Sequence, residues 1–477
     1  MFLKRKQNYI PEIDGLRAIA VISVILFHAD FEIFNINFKG GYLGVDIFFV
    51  ISGYLITKLI ISEQKNQKFR FGNFYLRRAR RILPALFLVS IISYPFALFF
   101  FLPLPFLEYI GSLISGIFFS SNFFFYFSEI DYYALPNTYK PLLHYWSLSV
   151  EEQFYFVYPI SLYLIYKYFK NKLDLLFILI GFLSFFFSIY LNYYDKSLSF
   201  YLFPTRIWEF LFGALAAKFH LKNIEVKNQK LKLFAQIIGF LFIIISIFLF
   251  QETNSEDNNL INTFLFSHPG LKTLLPVIGT FLVILFVKER NALNLILSFK
   301  PLVFVGLLSY SLYLWHYPIF SFIRLSPIDI NSTHEYLILI LLIVFVSIIS
   351  YYFVEQPFRN NKLISTKYLF IYLSSIILII SLLCFHAVKN KGYSTIIPEY
   401  FKEFKIADKM NNFLFNQEEI KKKINNTKLN FKENISNLET YLVIGDSHRG
   451  SFMNLIRTEL NSKNIDLISL AYSNIFT

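Results

Sequence analysis

The chain has 477 residues, 55% of them hydrophobic and 20% aromatic, with 60 Phe against 17 Gly and 16 Pro, which excludes a disordered, collagenous or low-complexity polymer. Only 16% are charged, below the roughly 25% of an average soluble domain, and the single cysteine, Cys384, excludes a disulfide framework and any multi-cysteine metal or redox site. A mean hydropathy of +0.50 specifies a polytopic membrane protein, in which a formal charge of +13 reads as loop orientation rather than nucleic-acid binding.

Met1-Phe-Leu-Lys-Arg-Lys resembles a signal-peptide n-region. The apolar segment behind it is too long and lacks an Ala-x-Ala end, so it is expected to be the first span. Crossing about 30 Å of hydrocarbon takes roughly 20 apolar residues. Segments near that length fall at residues 16–34, 42–61, 82–102, 148–168, 173–193, 203–219, 233–250, 271–287, 302–323, 336–354 and 368–388. Residues 106–127 are interrupted by Gly111, Ser112, Ser115, Gly116, Ser120, Ser121 and Asn122 and are expected to form a surface or re-entrant segment. With the N-terminus inside, alternate loops of an eleven-span chain carry Lys65, Lys68, Arg70 and the arginines of residues 77–81, then Lys167, Lys170 and Lys172, and further clusters down to Lys367. Residues 251–270, on the opposite side, are acidic without a Lys or Arg. That bias obeys the positive-inside rule, and a twelfth span before His144 would invert every later loop.

From Lys389 the composition turns polar. The expected units are therefore a membrane domain at 1–360, a linking span at 361–388, a linker outside the membrane at 389–440 and a short unit at 441–477. In the last, residues 441–444 read as a buried strand, 449–460 as a helix and 465–470 as a second strand. This is the beginning of an α/β unit, too short to close a sheet around its own core.

Ionisable groups inside a bilayer are costly, so each one in a span points to function. The first span opens Asp14-Gly-Leu-Arg17 and carries His28. Eleven residues at 100° each bring Arg17 and His28 within about 20° of one face, about 16 Å apart along the axis. The bland alternatives are an interfacial anchor for Arg17 and a packed, hydrogen-bonded imidazole for His28. In the second span Asp46 and Ser52 stand about 240° apart; Asp46 is expected either to orient His28 or to sit in a structural ion pair. Arg77, Arg78, Arg80 and Arg81 gather at the inner surface, where guanidinium forks suit phosphates and, equally, anionic headgroups. His144-Tyr-Trp-Ser-Leu-Ser-Val-Glu-Glu-Gln153 leads into the fourth span with Trp146, Glu151, Glu152 and an amide, a set suited to carbohydrate. Arg206 and Glu209, three residues apart, can neutralise each other.

These segments are informative together. Asp14-Gly-Leu-Arg17 with ten residues to His28, Gly44-Val-Asp-Ile-Phe-Phe-Val-Ile-Ser-Gly53, Arg77-Arg-Ala-Arg-Arg-Ile, Trp146-Ser-Leu-Ser-Val-Glu-Glu-Gln-Phe-Tyr155, Ser311-Leu-Tyr-Leu-Trp-His316 and Glu355-Gln-Pro, in this order over residues 1–359, resemble the acyltransferase-3 family. The resemblance implies a multi-pass enzyme of the bacterial inner membrane, with its N-terminus cytoplasmic and C-terminus periplasmic. Such enzymes move an acyl group, usually acetyl, from cytoplasmic acyl-CoA to surface carbohydrates such as lipopolysaccharide O-antigen. Arg17 and His28 match the family's essential arginine and histidine. Val443-Ile-Gly-Asp-Ser-His448 is similar to the first block of SGNH hydrolase domains, with Ser447 at the nucleophile position. The matching base would lie beyond Thr477, and a serine without its base is a poor nucleophile. Ser447 is thus expected to be inactive in a truncated unit; the alternative is a mere turn.

The fold expected is an all-α polytopic membrane protein of about eleven transmembrane helices, a ten-helix acyltransferase core plus one linking helix, with a truncated α/β SGNH-like segment. Acetyl-CoA is the expected co-substrate, with no permanently bound cofactor or metal. Its phosphates are assigned to Arg17, Arg77, Arg78, Arg80 and Arg81, and its thin arm threads between helices to bring the thioester to His28. A hydroxyl needs a base, which His28 supplies, or else His28 carries the acyl group transiently. Glu152 and His316 are assigned to orient a carbohydrate or lipid-linked saccharide acceptor, and Asp46 to orient His28. The rival is a transporter of a sugar or lipid-linked saccharide, which predicts inverted repeats that the two halves do not display.

Overall fold

A chain in hydrocarbon must satisfy every backbone polar group within its own segment, so helices are the expected solution for open chains. The computed structural model describes residues 9–30, 32–33, 36–130, 134–222, 227–250, 268–287, 289, 291–326, 333–393, 440–445 and 466–471. The chain divides into two units, residues 1–405 and 406–477.

The larger unit is helical: α1 (Pro11–His28), α2 (Gly44–Lys65), α3 (Phe71–Phe100), α4 (Pro103–Ile117), α5 (Ser121–Ile130), α6 (Tyr145–Phe169), α7 (Leu173–Tyr194), α8 (Lys196–Tyr201), α9 (Ile207–Leu221), α10 (Gln229–Leu249), α11 (Leu271–Leu285), α12 (Ala292–Leu297), α13 (Lys300–Leu325), α14 (Thr333–Ser350), α15 (Gln356–Arg359) and α16 (Thr366–Lys389). A π-helical turn, Tyr351–Glu355, joins α14 to α15. Each of the eleven expected segments contains helix over part or all of its length. Among the described residues, seven runs are long and apolar enough to cross a membrane, one of them the continuous stretch Tyr145–Tyr194. The shorter α9 and α11 and the charge-bearing α1, with Glu12, Asp14, Arg17 and His28, lie outside that set. The outer faces of α7 and α14 carry exposed Leu179, Phe182, Leu183 and Phe186, and Leu341, Leu342 and Phe345, as a lipid solvent requires.

Two boundaries differ from expectation for local reasons. The first span stops at His28 rather than residue 34, because Asp30 adopts a left-handed φ of 51°. Beyond it the two-residue strands β1 (Glu32–Ile33) and β2 (Ile36–Asn37) pair antiparallel. Residues 106–127 are broken into α4 and α5, with Phe119 also at φ 51° in the break. The exposed backbone of that break is taken up by α6: Gln153 donates to the Phe119 carbonyl and to Asn122, and Ser149 accepts from the Ser121 N–H. Neither α4 nor α5 is among the seven runs long and apolar enough to cross a membrane.

At the centre α1 packs along α13 and α2 along α9. Small residues let helices approach where burial gives no help against lipid. A Cβ at Gly53 would lie 1.9 Å from the Phe210 carbonyl oxygen, and one at Gly213 would lie 1.9 Å from that of Val50. Gly213→Val is therefore expected to force α2 and α9 apart at a cost of about 3 kcal/mol or more. The check is the thermal midpoint of the detergent-solubilised protein, which should fall; an unchanged midpoint would show that the crossing tolerates bulk.

The smaller unit shows β3 (Thr440–Gly445) and β4 (Asp466–Ala471) paired in parallel, Thr440 opposite Asp466 and Gly445 opposite Ala471. Parallel neighbours need a crossover between them, in keeping with the α/β reading. The expected helix at 449–460 and Ser447 itself lie outside the described residues.

Candidate active site

The end of α1 brings His28 against α13. The His316 Nδ1 lies 2.6 Å from the Tyr313 carbonyl oxygen, and its Nε2 lies 3.3 Å from His28 Nδ1. A carbonyl only accepts, so His316 Nδ1 carries a hydrogen. In the neutral ring its Nε2 is then a lone pair, and His28 Nδ1 must donate to it. That leaves His28 Nε2 unprotonated, on a residue lining a cavity. Arg324 donates to the His28 backbone carbonyl and to Asp30, tying down the helix end. The His28 ring also meets Tyr317 edge-on, centroids 4.9 Å apart.

The cavity beside His28 holds about 600 Å³. Aromatic rings (Tyr42, Trp146, Phe200, Tyr201 and Tyr317) share its wall with His144, His268 and the polar Asp30, Glu129, Asn137, Asn192, Lys196 and Lys272. Rings alternating with hydrogen-bonding groups suit a polyol. Among the described residues no group of three or more His, Cys, Asp and Glu side chains is arranged to hold a metal ion.

A second, narrower cavity of about 80 Å³ is lined by Arg17, Arg78 and Arg81 together with Ser52, Glu151, Glu152, Tyr155 and Tyr310. Arg17 pairs with Asp14 at 3.0 Å. Arg78 lies over the Phe74 and Tyr155 rings, and neither it nor Arg81 hydrogen-bonds another described residue. Glu151 accepts from Ser52 and Tyr155. Guanidinium forks that make no hydrogen bond to the described residues at a cavity wall suit an anion, with Glu151 and Glu152 on the same wall. The two cavities share wall: Val45 and Tyr313 border both.

Several assignments change. Asp46 does not orient His28: it is fully buried, bound by Arg206 at 2.8 Å and by His268 at 3.1 Å, with Glu209 on the same guanidinium at 3.1 Å. This is the structural ion pair, enlarged, and it sits against Trp146 and Phe200. Breaking such a buried pair leaves an uncompensated charge, so it anchors His268, Trp146 and Phe200, which line the larger cavity. Arg80 does not line the arginine cavity: its guanidinium is spent on the Phe358 and Ile364 carbonyls, Asn361 and Thr366, fastening the turn before α16. Arg77 pairs with Glu63 at the surface. Glu152 lines the arginine cavity, not the larger cavity, because it lies two helical turns beyond His144 on α6. His316 is fully buried and hydrogen-bonds His28 instead of lining the larger cavity.

The structure thus unites His28 with His316, and Arg17 with Arg78 and Arg81. It adds residues that sequence reasoning undervalued. His144 stood in a motif already singled out, but was grouped with Glu152. Tyr313 lay inside the motif ending at His316, and its spacing of three marks one helical face. His268 had no signal, since its partner Asp46 is 222 residues away.

A model of the acyltransferase domain family matches residues 10–352. The peptidoglycan O-acetyltransferase OatA of Listeria monocytogenes is 34% identical over 369 residues, covering 75% of this chain and 57% of its own length. The O-acetyltransferase OatA of Staphylococcus aureus is 34% identical over 364 residues, 74% of this chain and 58% of its own. A putative O-acetyltransferase of Staphylococcus aureus is 33% identical over 370 residues, with shares of 75% and 58%. The chain therefore spans less than two thirds of these relatives. No solved structure matches.

Proposed function

Because the chain belongs to this acyltransferase family, a family of multi-pass membrane proteins, we propose that it moves an acetyl group from acyl-CoA to a hydroxyl of a cell-surface carbohydrate. The observation that carries this reading is the shared wall at Val45 and Tyr313. A thioester delivered from the arginine end comes within reach of a base at the histidine end. Arg17, Arg78 and Arg81 hold the CoA phosphates, and the arm spans the rise of α1, about 16 Å. The acceptor occupies the larger cavity. His28 Nε2 takes the proton as the hydroxyl oxygen bonds to the thioester carbon. The carbon–sulfur bond then breaks, and the same proton passes to the departing thiolate.

Eleven passes, with the N-terminus cytoplasmic, put the arginines on the CoA side under the positive-inside rule. The name of the Listeria relative favours peptidoglycan over O-antigen as the acceptor. The test uses inverted membrane vesicles bearing the full chain and [¹⁴C]acetyl-CoA. Label is expected in alkali-labile esters on cell-wall glycan. A transporter would leave all of it on CoA, which would overturn the proposal.

A further inference from the structure

The wall of the narrow cavity carries several polar side chains, and most of their hydrogen-bonding atoms are taken. Glu151 accepts from Ser52 and Tyr155. Ser147 and Tyr313 bond each other, and the Tyr310 hydroxyl is spent on the Ile82 carbonyl. Ser309 lines the wall too, but its hydroxyl oxygen is buried. Glu152 differs. The residue is only half-buried and lines the cavity. Among the described residues nothing hydrogen-bonds its carboxylate, and neither oxygen is sealed off. Arg78 and Arg81 are near enough to attract it without closing an ion pair.

Its place along α6 says what such an acceptor meets. Ser147, Leu148, Glu151, Glu152 and Tyr155 line the cavity from one face of the helix. Ser147, bonded to Tyr313, marks the border with the larger cavity. Tyr155, with Arg78 over its ring at 5.6 Å, marks the arginine end. At 1.5 Å per residue, Glu152 stands about 7.5 Å along the axis from the first and about 4.5 Å from the second. A donor with its phosphates on the arginines and its thioester at the border therefore lays the middle of its arm against Glu152. That middle is pantetheine, whose two amide N–H groups lose water on entering. Phe48, Phe49, Leu55 and Ile56 on the same wall offer them no acceptor, and an amide hydrogen buried without one is costly.

We propose that the Glu152 carboxylate accepts a hydrogen bond from an amide N–H of the acyl donor's pantetheine arm, and so sets how far the thioester reaches toward His28. This rests on the acyltransferase reading above. It gives the donor a second anchor, independent of its phosphates.

The experiment uses the full chain in detergent, purified peptidoglycan glycan strands as acceptor, and two donors, [¹⁴C]acetyl-CoA and S-[¹⁴C]acetyl-pantetheine. The second keeps both amides and has no phosphate. Glu152→Leu fills the space without an acceptor, Glu152→Ala empties it, and Glu152→Gln keeps an acceptor oxygen. Loss of a hydrogen bond to a charged group is expected to raise the donor KM about tenfold or more in Glu152→Leu and Glu152→Ala. The factor should be the same, within about twofold, for both donors, because both carry the amides. Glu152→Gln should return to within about fivefold of wild type, the difference between a charged and a neutral acceptor. An unchanged KM for acetyl-pantetheine in the Leu and Ala variants overturns the proposal, since Glu152 would then act only on the arginines and the phosphates they hold. So does a Gln variant as impaired as Leu. A wild-type protein that transfers acetyl from neither donor overturns the acyltransferase reading instead.

Discussion

Replacing His28 with alanine is expected to lower acyl transfer by about 10²–10⁴-fold, the usual contribution of a positioned general base. Acyl-CoA binding should survive, since the arginine cavity lies about 16 Å away along α1. Folding should survive as well, because the imidazole borders a cavity rather than filling the core. The variant must therefore still run as a monodisperse species on size exclusion and still bind acyl-CoA. His316→Ala removes the ring that sets the His28 tautomer. By comparison with other groups that orient a functional histidine, its loss should be smaller, about 10–100-fold. Full activity in His28→Ala would end the proposed chemistry.

The second large effect separates two neighbouring arginines. Arg78→Ala is expected to raise the KM for acetyl-CoA about 10- to 150-fold, the equivalent of one or two charge-assisted hydrogen bonds to phosphate. The rate at saturation should change little. Lysine at 78 restores charge but not the fork, and should recover only part of the affinity. Arg80→Ala should behave differently. Its guanidinium serves two carbonyls, an amide and a hydroxyl of the 358–366 turn. Removing it lowers the melting midpoint while the folded fraction keeps a normal KM. If the two variants gave the same kinetic defect, the division of the arginine cluster would be wrong.

Much of this was legible in the sequence, and what failed did so for identifiable reasons. Spans follow from hydropathy because the bilayer imposes length and internal hydrogen bonding together. The Arg17–His28 relation follows from helical periodicity, being local. Roles that depend on a partner from another helix were beyond reach. Asp46 stood close to the end of the first span in the expected topology and was paired with His28, whereas Arg206 and His268 claim it from 160 and 222 residues away. Within the arginine cluster, residue type was uniform and only packing distinguished Arg78 and Arg81 from Arg80. Glu152 and His144 share a motif but point to different cavities, because eight residues on a helix rise about 12 Å.

The common border at Val45 and Tyr313 also sets a requirement on the cell's energy supply. On the proposed arrangement, with donor and acceptor entering from opposite faces, the lipid's electrical insulation would be only as thick as the side chains in that waist. Substrate passage and proton tightness are then competing demands on the same two residues, and widening the waist for a bulkier acyl chain would trade membrane potential for scope.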